Sequence, residues 1–72
     1  MLKYKFEKEE NHEKVYIFFP EGNEDAPGKV AFENDGTRKV LEDSTEDFKQ
    51  IYAMHALSGI DTNKKEGVIA WY

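Results

Sequence analysis

The sequence predicts an α+β fold, a ββββαβ chain forming an antiparallel sheet with one helix packed across one face. Three observations predict it. The opening stretch "LKYKFEK" alternates apolar and charged residues at the two-residue period of a half-buried strand. "NDGT", between "KVAFE" and "RKVLE", carries the Asp-Gly pair that favours a tight hairpin. A single stretch, "DSTEDFKQIYAMHALSGID", has apolar residues at the helical period instead.

The first strand places Leu2, Tyr4 and Phe6 on one face and Lys3, Lys5 and Glu7 on the other. "EKVYIFFP" forms the second, ended by Pro20, which has no N–H for a ladder. A turn at Glu10-Asn11 sets Phe6 opposite Val15, Tyr4 opposite Ile17 and Leu2 opposite Phe19. It also sets Glu7 against Lys14 and Lys8 against Glu13, so charged and apolar pairs agree on one register. Tyr16 and Phe18 then fall on the rear face. That makes the second strand apolar on both sides, as central or covered strands are.

"EGNEDAPG" breaks the pattern with Gly, Asn and Pro and reads as a loop. Pairing around Asp35-Gly36 puts Val30 across from Leu41, Ala31 across from Val40 and Glu33 across from Arg38. In the helix, Ser44 is the expected cap, with Asp47 as the capping-box acid and Glu46 also at the positive end of the dipole. Gly59 is expected to end the helix in the left-handed conformation, with Ile60 adding a hydrophobic contact. Phe48, Ile51, Tyr52 and His55 make one stripe, and Ala53, Met54 and Leu57 lie largely opposite. "DTNKKE" is a polar loop. "GVIAWY" reads as a fifth strand, its terminal aromatics held by the ladder and the core. This strand fits antiparallel to the first, or parallel to the fourth by a crossover; the first arrangement is the expectation.

Seventy-two residues make a single domain, 1–72, with a core near the lower limit for folding without staples. With no cysteine, neither a disulfide nor a thiolate metal site supports it. Phe, Trp and Tyr at 14% supply large buried areas instead, so the expectation is a folded monomer or a dimer. The formal net charge is −5 and the pI about 4.9. Lys3, Lys5, Lys8 and Lys14 are interleaved with Glu7, Glu9, Glu10 and Glu13. Nucleic acid and anionic membranes are therefore excluded as expected partners. The chain shows neither a signal pattern nor an apolar run of spanning length, which makes a cytoplasmic location the expectation.

His55, mid-stripe, is the one residue suited to general base or metal chemistry near neutral pH. It has no sequence-local partner, and packing is the simpler reading. Glu21, Glu24 and Asp25, then Glu33 and Asp35, then Glu42, Asp43, Glu46 and Asp47 form acidic clusters that read as solvated surface. "DTNKKE" opens like a calcium loop but is too short and lacks its glycine. No nucleophile, phosphate-loop or metal spacing is present, so no catalytic residue, cofactor or metal is expected. Tyr16, Phe18, Met54, Leu57 and Trp71 are the candidate partner-binding patch. The competing reading packs Tyr16, Phe18 and Trp71 together on the second face of the sheet.

"FPEGNEDAPGKVAF", "YAMHALSGID" and "GVIAWY" resemble a family of short uncharacterised proteins from low-GC Gram-positive bacteria. The resemblance spans most of the chain, including the terminal Ala-Trp-Tyr. It implies a bacterial origin and brings no activity or site onto any position.

Three functions compete. The leading expectation is a non-enzymatic interaction module that engages a protein partner or, as a homodimer, itself. The alternative is an acidic mimic of nucleic acid that occupies the basic groove of an enzyme. A small enzyme or metal binder centred on His55 ranks third, since so short a chain leaves little room for a pocket beside its core.

Overall fold

A computed structural model describes residues 1–71. Tyr72, the last residue of the expected fifth strand, lies outside the described residues. The elements are β1 (Leu2–Glu10), β2 (Glu13–Pro20), β3 (Gly28–Glu33), β4 (Arg38–Glu42), α1 (Ile51–Gly59) and β5 (Glu66–Ile69). The ββββαβ order is the expected one. The strands form a single antiparallel sheet, β4-β3-β2-β1-β5, in which β5 pairs with β1, the favoured of the two arrangements. The chain leaves the sheet at the β4 edge and returns at the β5 edge, so α1 crosses one face between them.

Both hairpin registers differ from expectation: the first through its turn and a bulge, the second through its turn. The first reversal lies at Asn11-His12, with φ of 52° and 64°, and sets Glu10 opposite Glu13. Two successive left-handed residues match the twist of a two-residue hairpin. Asn and His enter that region more readily than Glu, so Asn11-His12 outcompetes Glu10-Asn11. A bulge between Phe6 and Lys8 shifts the ladder again, giving Phe6–Tyr16, Tyr4–Phe18 and Leu2–Pro20 pairs. A one-residue slip turns a strand over. Tyr16 and Phe18, rather than Val15, Ile17 and Phe19, therefore share the face of Leu2, Tyr4 and Phe6.

The second hairpin uses a three-residue loop. The Gly36 N–H donates to Glu33 O at 3.0 Å, the Glu33 N–H donates to Thr37 O at 2.8 Å, and Gly36 sits at φ 92°. That left-handed position is open to glycine at little steric cost. The register becomes Val30–Val40, Ala31–Lys39 and Phe32–Arg38.

The core lies between α1 and the sheet. Leu2, Tyr4, Tyr16, Phe18, Val30 and Phe32 rise from the strands to meet Ala53, Ala56 and Ile60. Small helix residues over large strand residues let the two layers approach closely. Tyr16 is the hub, edge-to-face with Tyr4 (5.9 Å between centroids), Phe6 (5.5 Å) and Phe32 (5.9 Å). Such pairs add about 0.5–1.5 kcal/mol each beyond burial. Its hydroxyl donates to Lys64 O at 2.7 Å, so the buried phenol is satisfied and the loop before β5 is tied down.

Among the described residues the opposite face has no second layer, yet Val15 and Ala31 are buried there. Two ion pairs account for this. Lys29 of β3 reaches Glu7 across β2, and Lys39 of β4 reaches Glu13 across β3, both at 3.0 Å. Each spans two strand spacings, about 10 Å, so the lysine stems lie across the intervening strand and shield its aliphatic residues.

The start of the helix departs most from expectation. Ser44 does not cap it: its hydroxyl donates to Ala26 O at 2.6 Å and accepts from the Glu46 N–H at 3.2 Å, joining two loops. Asp47 is the cap, one carboxylate oxygen accepting from the Tyr52 N–H at 2.8 Å and the other from the Ala53 N–H at 2.9 Å. Between cap and helix, Lys49 and Gln50 are both left-handed (φ 58°), so the regular helix begins only at Ile51. Gly59 is not left-handed either. A Cβ there would stand 2.9 Å from Ile69 Cδ1, so the residue is small because β5 passes close by. Ile60 ends the helix in extended conformation (φ −66°, ψ 128°) and packs in the core, as expected of it.

Candidate functional site

Turning Ala53 and Ala56 toward the sheet fixes what α1 shows to solvent. Ile51 and Met54, i and i+3 neighbours on its outer side, are 48% and 64% exposed. Phe48, 76% exposed, immediately precedes the helix, its carbonyl accepting the Ile51 N–H. The three form an apolar ridge along the beginning of the helix. The stripe expected from the sequence is thus divided: Phe48 and Ile51 face out, whereas Tyr52 packs against the core.

The candidate patch read from the sequence is corrected accordingly. Tyr16 and Phe18 are almost wholly buried under α1, since the shifted register turned them inward, and neither contributes to a surface. Leu57 is half-buried against the core, its carbonyl accepting from Arg38 Nη1 at 2.6 Å. Trp71 packs on the helix, stacked on His55 and edge-on to Tyr52, and not with Tyr16 and Phe18 on the second face of the sheet. Met54 alone of the five stays open to solvent. Phe48 and Ile51 were missed as surface residues. The Ala53/Ala56 pair was the available signal, because only a small-residue face can lie close to a sheet of aromatics.

His55 is accounted for by its stack on Trp71. Cavities of about 350 Å³ (beside Lys3, Lys5, Phe19 and Val68) and about 220 Å³ (beside Phe6, Lys14 and Lys65) are both lined without it. Among the described residues, no three His, Cys, Asp or Glu side chains are placed to hold a metal ion.

The fold also gathers charge. Asn23 Nδ2 donates to Glu46 Oε1 at 2.6 Å, which with the Ser44–Ala26 bond joins the β2–β3 loop to the β4–α1 segment. Gln50 Nε2 donates to Asp43 Oδ1 at 2.8 Å and ties that segment to the helix start. Segments 20–27 and 42–48 contain seven of the fifteen carboxylates and no lysine or arginine, and they meet at the end of the sheet that carries Phe48. Glu21 is anchored there. The Met1 ammonium, at 2.8 Å, and then the Tyr52 hydroxyl, also at 2.8 Å, hold its carboxyl below the usual range. The same bond to Glu21 raises the Tyr52 hydroxyl.

Among the described residues no helix is long and apolar enough to cross a membrane. Compared with models of known protein families, with curated proteins and with solved structures, the chain matches none.

Proposed function

We propose that this chain is a non-enzymatic protein-interaction module that binds through the ridge of Phe48, Ile51 and Met54. The observation that carries the reading is their shared exposure on one side of the helix start. A contiguous apolar patch loses free energy to water at roughly 25 cal/mol per Å² until something covers it. The backbone is also held in an uncommon shape just there, with Lys49 and Gln50 both left-handed. Such strain, on the order of 1 kcal/mol per residue, concentrates where a side chain is being presented.

The test is a photo-crosslinking benzoyl-phenylalanine placed at Met54, with the same group at Lys39 on the far face as control. A discrete protein adduct from position 54 alone is the expected result. Equal adducts from both positions, or none from either, would remove the reading.

A second reading, the acidic mimic, gains from the Asn23–Glu46 bond, since it brings separate carboxylate clusters to one end. In that case, neutralising Glu24, Asp25 and Glu42 abolishes binding to a basic groove, while Phe48→Ser and Met54→Ser leave it intact.

A further inference from the structure

We infer that the occupant of the Phe48–Ile51–Met54 ridge is a cationic amphipathic protein segment, apolar along one side and bordered by lysine or arginine; this rests on the interaction reading above. The ridge sits next to the strongest charge on the molecule. Segments 20–27 and 42–48 hold seven carboxylates, with Lys49 the nearest cation in sequence and its ammonium over the Phe48 ring at 5.4 Å. Apart from Lys49, the rest of the chain carries eight carboxylates and nine lysines or arginines, so it is close to neutral. All of the negative excess therefore belongs to the end that borders the ridge.

That asymmetry selects among occupants. Nucleic acid and anionic lipid are repelled from this end. A second copy is disfavoured for a related reason. A two-fold pairing through the ridge contacts the same patch on both chains. Each copy then brings the same acidic border and neither brings a cationic one, so the pairing gains no charge complementarity. Three exposed side chains give little apolar area to offset this. A basic amphipathic segment meets both features at once, its apolar side on the ridge and its cations on the bordering carboxylates.

The test uses the full chain, isotope-labelled for NMR, and a synthetic helical peptide of leucine and lysine segregated to opposite sides. A scrambled peptide of the same composition is the control. The segregated peptide should bind at least about tenfold more tightly, roughly 1.4 kcal/mol, with shifts centred on Phe48, Ile51 and Met54. Phe48→Ser with Met54→Ser should remove that tenfold preference, and Phe48→Leu with Met54→Leu should retain it. Glu42→Gln with Glu46→Gln should flatten the salt dependence. Equal binding of the scrambled peptide would overturn the inference, leaving only non-specific charge attraction. A wild-type dimer, dissolved by the serine pair in sedimentation, would overturn it in favour of a second copy while preserving the interaction reading. Unchanged peptide binding by the serine pair, with no adduct from position 54, would end both.

Discussion

The His55 imidazole and the Trp71 indole lie face to face, centroids 3.8 Å apart and planes within 9° of parallel. Tyr52 meets the same indole edge-on at 5.4 Å. Beyond β5 the chain thus folds onto the helix and does not continue the ladder, which gives the tryptophan a packing partner. One face of the only helical histidine is spent on that contact.

Trp71→Ala should lower stability by about 1–3 kcal/mol in urea unfolding. Combined with His55→Ala in a double-mutant cycle, it should show a coupling of about 0.5–1.5 kcal/mol. A coupling indistinguishable from zero would mean that the stack contributes nothing.

Asp47 and Ser44 should separate experimentally. Asp47→Ala should cost about 1–2 kcal/mol and speed amide exchange at Tyr52 and Ala53, whose N–H groups its carboxylate caps. Ser44→Ala should cost about 1–2 kcal/mol by losing its bond to Ala26 O, with exchange at Tyr52 and Ala53 preserved. Faster exchange at those amides in Ser44→Ala would restore the serine as helix cap.

Left-handed backbone at ordinary residues is a reserve of stability. His12→Gly and Gln50→Gly place glycine at φ 64° and 58°, and each should stabilise by roughly 0.5–1 kcal/mol. Thermal melts raised by a few degrees are expected. Lowered melts would show that the turns are not held in this conformation.

Two glycine substitutions should rank in a fixed order. A Cβ at Gly28 would overlap the ring of Phe18, which is fully buried and cannot withdraw. Gly28→Ala should cost about 3 kcal/mol or more. At Gly59 the obstruction is the flexible end of Ile69, and better helix propensity returns about 1 kcal/mol. Gly59→Ala should therefore be nearly neutral; denaturant midpoints decide the ranking.

Glu21 makes stability depend on acid. Its folded pKa is depressed below the ordinary 4.5, chiefly by the Met1 ammonium and then by the Tyr52 hydroxyl. Its contribution is therefore complete above that value and is lost as pH falls through the lower folded one. Glu21→Gln should flatten the stability profile in that acidic window. Tyr52, raised by the same bond, acts at the other end: its contribution is complete below the ordinary 10.0 and is lost as pH rises past the folded value. An unchanged acid profile in Glu21→Gln would show that the pair is broken in solution.

Element order, the antiparallel sheet and the single helix were legible in the sequence, which left β5 between two partners with β1 the favoured one. They depend on local signals: two-residue alternation in "LKYKFEK", Asp-Gly in the second hairpin, and one helical-period stretch. Registers were not legible, because they turn on which residues take left-handed angles, and Asn11-His12 displaced the turn by one position. The bulge between Phe6 and Lys8 then inverted β2 relative to β1, burying Tyr16 and Phe18 and removing them from the surface. The outward face of α1 followed from a packing choice, Ala53 and Ala56 against the aromatic sheet, that competes with an equally periodic stripe through Phe48 and Ile51. The joining of the acidic clusters through Asn23 and Glu46 is longer-ranged still. Sequence determines what neighbouring residues prefer, and only the closed tertiary structure decides which of those preferences are compatible with one another.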